Sequence, residues 1–182
     1  DDAGTAITTG HTNTAIGRDS LKTNTSGSYN TAVGTASLEA NTTASYNTAV
    51  GKEALKLNTT GANNTANGYN ALYSNTTGSN NTALGYNVLS SNTTGQYNIG
   101  IGGNDATNLT TLGNNTTGSS NVAVGMAALL NNSTASNNTA VGYQSLRANT
   151  TGANNTANGY ESLYSNTTGS TNTSVGRVAS YS

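Results

Sequence analysis

The sequence predicts an all-β fold, a repetitive β-solenoid or parallel β-roll in which each coil of the chain uses 17 residues. Two observations predict it: a motif that returns at a fixed step, and a composition dominated by small polar residues. Asn and Thr supply 31 and 34 of the 182 residues, Gly supplies 22, and Phe, Trp, Pro and Cys do not occur. Six basic residues nearly balance seven acidic ones, which argues against disorder caused by net charge.

The repeat unit reads N-T-A-V-G-Y-x-A-L-x-x-N-T-T-G-x-N/Y, and we number its positions 1 to 17 from the first Asn. Asn at position 1 and Gly at position 5 occur in all ten copies. The first-position residues are Asn13, Asn30, Asn47, Asn64, Asn81, Asn98, Asn121, Asn138, Asn155 and Asn172. Their spacing is 17 residues except for one step of 23. Such a strict period indicates one structural unit per repeat, stacked on its neighbours.

Each part of the unit predicts a local structure. Positions 1 to 5 predict a short β-strand closed by Gly, and N-T-T-G predicts a turn whose Gly suits a positive φ. The segment x-A-L-x-x-N fits either a second short strand or a single helical turn, and we favour the strand. Because stacked coils align like residues, we expect the first-position Asn side chains to satisfy one another's amides along the axis.

Residues 1–182 form a single repeat array of ten N-x-x-x-G coils, with a six-residue insertion within 103–111. Insertions into a repeat usually become loops on one face, so we predict a protruding loop there. Both ends fall inside a repeat, and we expect this segment to be cut from a longer fibre.

The apolar content of one coil is small. One Val, one Leu and two Ala per unit must offset the ordering of 17 residues, at over about 1 kcal/mol each. The sequence therefore predicts a homotrimer whose chains share one core. Charged residues such as Arg18, Asp19 and Lys22 occur only at positions 6, 7 and 10 within the units, so these positions are predicted to face water.

The segment Asn30-Thr31-Ala32-Val33-Gly34 and its copies, followed by Ala or Ser before Leu, resemble the head repeats of YadA-like trimeric autotransporter adhesins. Those repeats carry N-S-V-A-I-G-type motifs but are shorter than these. The resemblance covers nearly the whole chain and implies a left-handed parallel β-roll in which three chains share a core. The N-T-A-V-G, A-L and N-T-T-G arrays are also similar to those of bacteriophage tail-fibre proteins.

Both groups are attachment fibres. The resemblance therefore implies an extracellular structural fibre, on a virion or a bacterial cell surface, that supports binding to a receptor or glycan. The alternative is an ice- or surface-binding solenoid or an extracellular matrix filament, because Thr recurs in two ladders. These ladders are Thr42, Thr59, Thr76, Thr93 and Thr43, Thr60, Thr77, Thr94. Adjacent Thr residues before Gly are typical of a turn rather than of a flat T-x-T strand, so we favour the fibre.

Nothing in the sequence predicts catalysis, a cofactor or a metal site. The single histidine, His11, precedes the first full repeat, and no serine lies in a G-x-S-x-G motif. Asp105 stands alone where a calcium repeat would need an acidic residue in successive coils.

No run of residues approaches the length of about 18 apolar residues that a membrane span needs, and we predict no nucleic-acid partner. The N-x-S/T triplets are either glycosylation acceptors or a by-product of the Asn-Thr turn.

Two sets of residues are candidate sites. Tyr69 with Tyr73, and Tyr160 with Tyr164, lie four residues apart in two copies, which predicts a small glycan platform; ordinary packing is the alternative. Asn67 and Asn158 replace the apolar residue of position 4. If position 4 faces a trimer axis, each Asn predicts a layer of three amides that fixes the register of the chains.

Overall fold

The structure is a computed structural model that describes residues 2–103 and 109–180. Within these ranges lie ten strands, each covering positions 2 to 4 of one repeat, and no helix. The strands are β1 (Thr14–Ile16), β2 (Thr31–Val33), β3 (Thr48–Val50), β4 (Thr65–Asn67), β5 (Thr82–Leu84), β6 (Ile99–Ile101), β7 (Val122–Val124), β8 (Thr139–Val141), β9 (Thr156–Asn158) and β10 (Thr173–Val175). They form one parallel sheet in chain order, so the predicted all-β parallel solenoid is confirmed.

The sheet keeps one register from end to end. Thr14 pairs with Thr31, and Ile99 pairs with Val122 across the insertion, so equal repeat positions always face each other. The extra six residues between β6 and β7 therefore leave the pairing unchanged. Residues 104–108, which carry Asp105 and most of the insertion, lie outside the described residues, and the loop stays a prediction.

The interior of the solenoid consists of small residues and Leu. Because side chains alternate along a strand, the position 3 residues such as Ala32 point inward and are fully buried. The Leu side chains at position 9, from Leu21 to Leu146, are also fully buried. The residues at position 4 point outward, and Ile16 is 59% exposed. In the sequence analysis we counted the Val of position 4 among the buried apolar residues of each coil. For the single chain this is wrong.

The second strand that we favoured at x-A-L-x-x-N is wrong, because these residues form consecutive turns. Position 9 has a positive φ in every full repeat, from 49° at Leu21 to 54° at Leu89, and Glu53 at position 7 has a φ of 60°. A strand cannot continue through this left-handed region, which costs about 1–2 kcal/mol for a residue with a Cβ. Burial of a Leu side chain returns about 1.5–3 kcal/mol and offsets this strain.

The expectation for the Gly of N-T-T-G is also wrong. No φ in the left-handed region occurs at this position, whereas Gly68 at position 5 has a φ of 141°. A Cβ added to Gly27 would lie 2.2 Å from the carbonyl oxygen of Ala44 in the next coil. Close approach of the neighbouring backbone therefore favours Gly here, although Ala44 and Ala135 show that the position can accept one methyl group.

Candidate functional site

A column of buried Asn side chains at position 12 links the coils. Asn41 Nδ2 donates to Asn24 Oδ1 over 2.8 Å and to the carbonyl oxygen of Ala44 in its own coil over 3.0 Å. The same pair of bonds recurs up to Asn166, with Nδ2 to Oδ1 distances of 2.8–3.1 Å. The amide ladder that we predicted for position 1 is thus most regular at position 12. Its sequence signal was the presence of Asn in all nine copies.

The Asn column at position 1 works mainly through the backbone. Asn13 Oδ1 accepts the backbone N–H of Asn30 over 2.9 Å, while Asn30 Nδ2 donates to the carbonyl oxygen of Ala44 over 2.9 Å. Direct Nδ2 to Oδ1 bonds at this position join only some coils, for example Asn81 to Asn64 at 3.2 Å. In both columns the buried side-chain amides have hydrogen-bond partners inside the solenoid. Buried polar groups are nearly always paired in this way.

We define the outer sheet face as the side chains at positions 2 and 4 of the ten strands. Position 2 is Thr in eight of ten copies, position 4 is Ile, Val or Leu in eight of ten, and neither position carries a charge. Because all strands pair in register, these side chains form two rows along the axis. Val33, Val50 and Val141 are half-buried, and Val175 at the end of the row is 70% exposed. This face is uncharged along all ten strands.

Asn67 and Asn158 lie in the outer sheet face and are exposed in the single chain. Asn67 stands in register between Val50 and Leu84, and Asn158 pairs with Val141 and Val175. These two amides are therefore not part of the chain's own interior. A polar layer between chains stays a prediction.

Tyrosines at position 6 stack along the axis. The rings of Tyr69 and Tyr86 lie 5.0 Å apart between centroids, and those of Tyr143 and Tyr160 lie 5.2 Å apart. Lys52 Nζ lies 5.5 Å from the Tyr69 centroid, in the coil on the other side of that ring. Tyr69 and Tyr160, which we predicted to contact a glycan, thus pack against side chains of neighbouring coils.

The tyrosines at position 10 lie beside cations. Lys56 Nζ is 5.8 Å from the Tyr73 ring centroid, and Arg147 Cζ is 5.4 Å from that of Tyr164. Such contacts contribute about 0.5–1 kcal/mol at exposed sites. Packing between coils therefore accounts for much of the tyrosine pattern, and the glycan role of these residues stays a prediction.

Charged side chains lie on the outer surface of the turn region, as we predicted from their positions. Lys22 Nζ lies 2.9 Å from Asp19 Oδ1, and Lys56 Nζ lies 3.4 Å from Glu53 Oε1. The hydrogen bond from Lys22 lowers the pKa of Asp19 and raises that of Lys22. These ion pairs connect positions 7 and 10 of one coil. Neither position belongs to the outer sheet face, which consists of positions 2 and 4.

The Thr ladders that suggested ice binding lie in the turn. Thr42, Thr59 and Thr76 each donate a hydroxyl hydrogen bond to the backbone carbonyl of the next coil, over 3.0–3.3 Å. Their hydroxyl groups are therefore used inside the solenoid. The adjacent residues Thr43 and Thr60 are exposed but stand on a bend, not on a flat strand.

Chemistry-bearing residues are sparse in the described ranges. No group of three His, Cys, Asp or Glu side chains there could hold a metal ion, and no helix in the same ranges is long and apolar enough to cross a membrane. The ring of His11 contacts Tyr29 edge to face, at 5.1 Å between centroids. Asp105 lies outside the described residues.

Comparison of the chain with models of known protein families, with curated proteins and with solved structures finds no match. The solenoid geometry and the residues on its surfaces therefore carry the functional argument.

Proposed function

We propose that the chain is a rigid segment of an extracellular attachment fibre, on a phage virion or a bacterial cell surface, and that it works as a homotrimer. The observation that supports this most is the outer sheet face, which runs uncharged along all ten strands. A fibre segment needs length, stiffness and a lateral surface for its partner chains, and the repeat provides each of them.

Stiffness follows from the hydrogen bonds between coils. Neighbouring coils share strand pairing, turn backbone bonds and the two Asn columns, as at Asn24, Asn41 and Asn30. Bending the solenoid would stretch several of these bonds in every coil at once. Hydrogen bonds inside a buried polar network are costly to leave unmade, so the array resists bending.

Trimerisation would cover the apolar row at position 4. In the single chain this row leaves Ile16 59% and Ile101 38% exposed. A row of eight exposed or half-buried apolar side chains, interrupted only at Asn67 and Asn158, is unusual on a monomeric protein and indicates an interaction surface. Three copies that turn this face to a common axis would bury it, with Asn67 and Asn158 as two polar layers.

Sedimentation equilibrium tests this assembly. We expect a trimer for the wild-type chain and a monomer for Val50→Asp combined with Val141→Asp, because both charges would enter the interface. Thr60→Asp combined with Thr151→Asp is the matched control, since both residues are exposed in the turn. A wild-type chain that is a folded, cooperative monomer would exclude the trimer.

A second candidate, an ice- or surface-binding solenoid, is favoured by the row of Thr at position 2. These residues stand on a parallel sheet in register, with apolar neighbours at position 4. Ice binding needs the outer sheet face exposed, whereas the trimer buries it, so one chain cannot use the face for both. Thermal hysteresis that is lost in Thr48→Tyr and kept in Thr60→Tyr would favour ice binding over the fibre.

A further inference from the structure

Asn-x-Thr/Ser triplets start mainly at two positions of the repeat. At position 12 the turn places such a triplet in nine copies, from Asn24 to Asn166. At position 17 four copies read N-N-T and begin at Asn63, Asn80, Asn137 and Asn154. These triplets are acceptors for an N-linked sugar, which is bonded to the side-chain Nδ2 of the Asn. The sequence alone does not distinguish the two positions.

The structure closes position 12 to this modification. Eight of the nine Asn side chains, from Asn24 to Asn149, are fully buried. Both hydrogens of Asn58 Nδ2 are in use, since this atom donates to Asn41 Oδ1 over 3.1 Å and to the carbonyl oxygen of Gly61 over 2.9 Å. An N-linked sugar replaces one of these hydrogens, so it would remove a buried hydrogen bond.

The position 12 amides also lack space around them. A Cβ added to Gly61 would lie 2.6 Å from Asn58 Oδ1 and 2.9 Å from Asn75 Nδ2. One methyl group is therefore already crowded beside this amide, and a hexose is far larger. Because protein interiors are close-packed, a sugar could enter only if the neighbouring coils separated. Glycosylation at position 12 would thus prevent the coils from stacking.

Position 17 presents its asparagines to solvent. The side chains are exposed and the backbone φ lies between 59° and 62° at Asn63, Asn80, Asn137 and Asn154. The main chain holds these residues in the coil. For example, the N–H of Asn80 donates to the carbonyl oxygen of Ala62 over 3.0 Å. A sugar on the side-chain amide would leave this bond intact, so the fold can accept the modification here.

We infer that this chain folds only where its asparagines are not glycosylated during synthesis, and that the position 17 row is where the folded coils can carry an N-linked sugar. In the transfer, Nδ2 forms a bond to C1 of the sugar and one Nδ2 proton leaves to a base. The bond between C1 and the diphosphate of a lipid-linked donor breaks, and the diphosphate leaves with the electron pair. The same reaction therefore has opposite consequences at the two positions. The inference rests on the coil geometry and not on the proposed fibre function.

Secretion of the full chain from yeast, with and without tunicamycin, tests this inference. Tunicamycin blocks synthesis of the lipid-linked donor. The wild type made with tunicamycin should be soluble, protease-resistant and β-rich by circular dichroism, whereas the wild type made without it should be lost to aggregates. Mass spectrometry of glycopeptides should find sugar on buried position 12 residues such as Asn58 in the aggregates, and none there in the soluble fraction.

Two sets of substitutions separate the positions. The first replaces the third residue of every position 12 triplet, from Ser26→Ala to Thr168→Ala; all nine are exposed, and the buried Asn stays in place. Without tunicamycin this variant should be soluble and carry sugar at position 17. The matched control is Asn63→Gly with the same change at Asn80, Asn137 and Asn154, because Gly keeps the left-handed φ. It should aggregate without tunicamycin, as the wild type does.

Soluble, protease-resistant wild type with sugar on Asn58 would overturn the inference for position 12. Rescue by the Asn63→Gly set and not by the Ser26→Ala set would also overturn it. A soluble Ser26→Ala set without sugar at position 17 would overturn the assignment of that row. If the Ser26→Ala set aggregates even with tunicamycin, the glycopeptides of the two wild-type fractions decide the outcome.

Discussion

Asn75 Nδ2 donates to Asn58 Oδ1 over 2.8 Å, and Asn75 Oδ1 accepts Asn92 Nδ2 over 2.8 Å. The same Nδ2 also donates to the carbonyl oxygen of Gly78 over 2.9 Å. One fully buried side chain thus connects three successive coils and a turn.

Asn75→Ala should lower the free energy of unfolding by about 3–5 kcal/mol, because it leaves buried amide and carbonyl groups unpaired at about 1–3 kcal/mol each. The control is Asn114→Ala, which removes an exposed Asn of the turn and should change stability by less than about 0.5 kcal/mol. Urea unfolding followed by circular dichroism measures both. Similar losses in the two variants would show that the buried column does not stabilise the stack.

Leu72→Ala should destabilise the chain by about 2–5 kcal/mol, because Leu72 is fully buried and its removal leaves a cavity between coils. Leu57 offers a matched comparison, since it is 39% exposed and lies outside the core. Leu57→Ala should cost well under half as much. Thermal melting of the two variants checks the difference, and equal melting temperatures would contradict the inward position of Leu72.

Gly68→Ala should prevent folding or lower the melting temperature strongly. Its φ is 141°, and an added Cβ would lie 2.2 Å from the carbonyl oxygen of Gly85. Backbone in this region is nearly restricted to glycine. Gly103→Ala is the control, because an added Cβ there would meet no described heavy atom within 4 Å, and its melting curve should match the wild type. A stable Gly68→Ala variant would contradict the coil spacing.

Asn67→Val should leave the melting temperature equal or higher. In the proposed trimer the change would replace an amide layer with hydrocarbon, and such a replacement is often neutral or stabilising. It also completes the apolar row between Val50 and Leu84. Differential scanning calorimetry at several protein concentrations checks the result. A fall of many degrees would argue that Asn67 stabilises the chain through its amide.

Tyr160 should lose its phenolic proton at higher pH than an ordinary tyrosine. The hydrogen bond with Glu161 is the main cause that raises the pKa of Tyr160, and it favours the protonated ring. In Glu161→Ala the pKa should move down toward its ordinary value. Spectroscopic titration of the Tyr160 ring carbons in the wild type and in Glu161→Ala measures the shift. A Tyr160 pKa that does not respond to Glu161→Ala would exclude this contact.

The sequence by itself determined the periodic part of the fold. The ten Asn at position 1 and the 17-residue step predicted ten stacked units with a strand before Gly17 and its equivalents, and β1 to β10 lie there. This succeeds because identical neighbours can satisfy their backbone and side-chain hydrogen bonds only when equal positions face each other. The place of the insertion, between β6 and β7, followed from the single long step.

Only the tertiary structure decided which way each side chain points. The left-handed φ of Leu21 and Tyr29 has no signal in their residue types, because Gly or Asn would be expected there. Together with the left-handed residues at positions 5 and 7, these angles turn the chain, bury the Leu and leave position 4 outside.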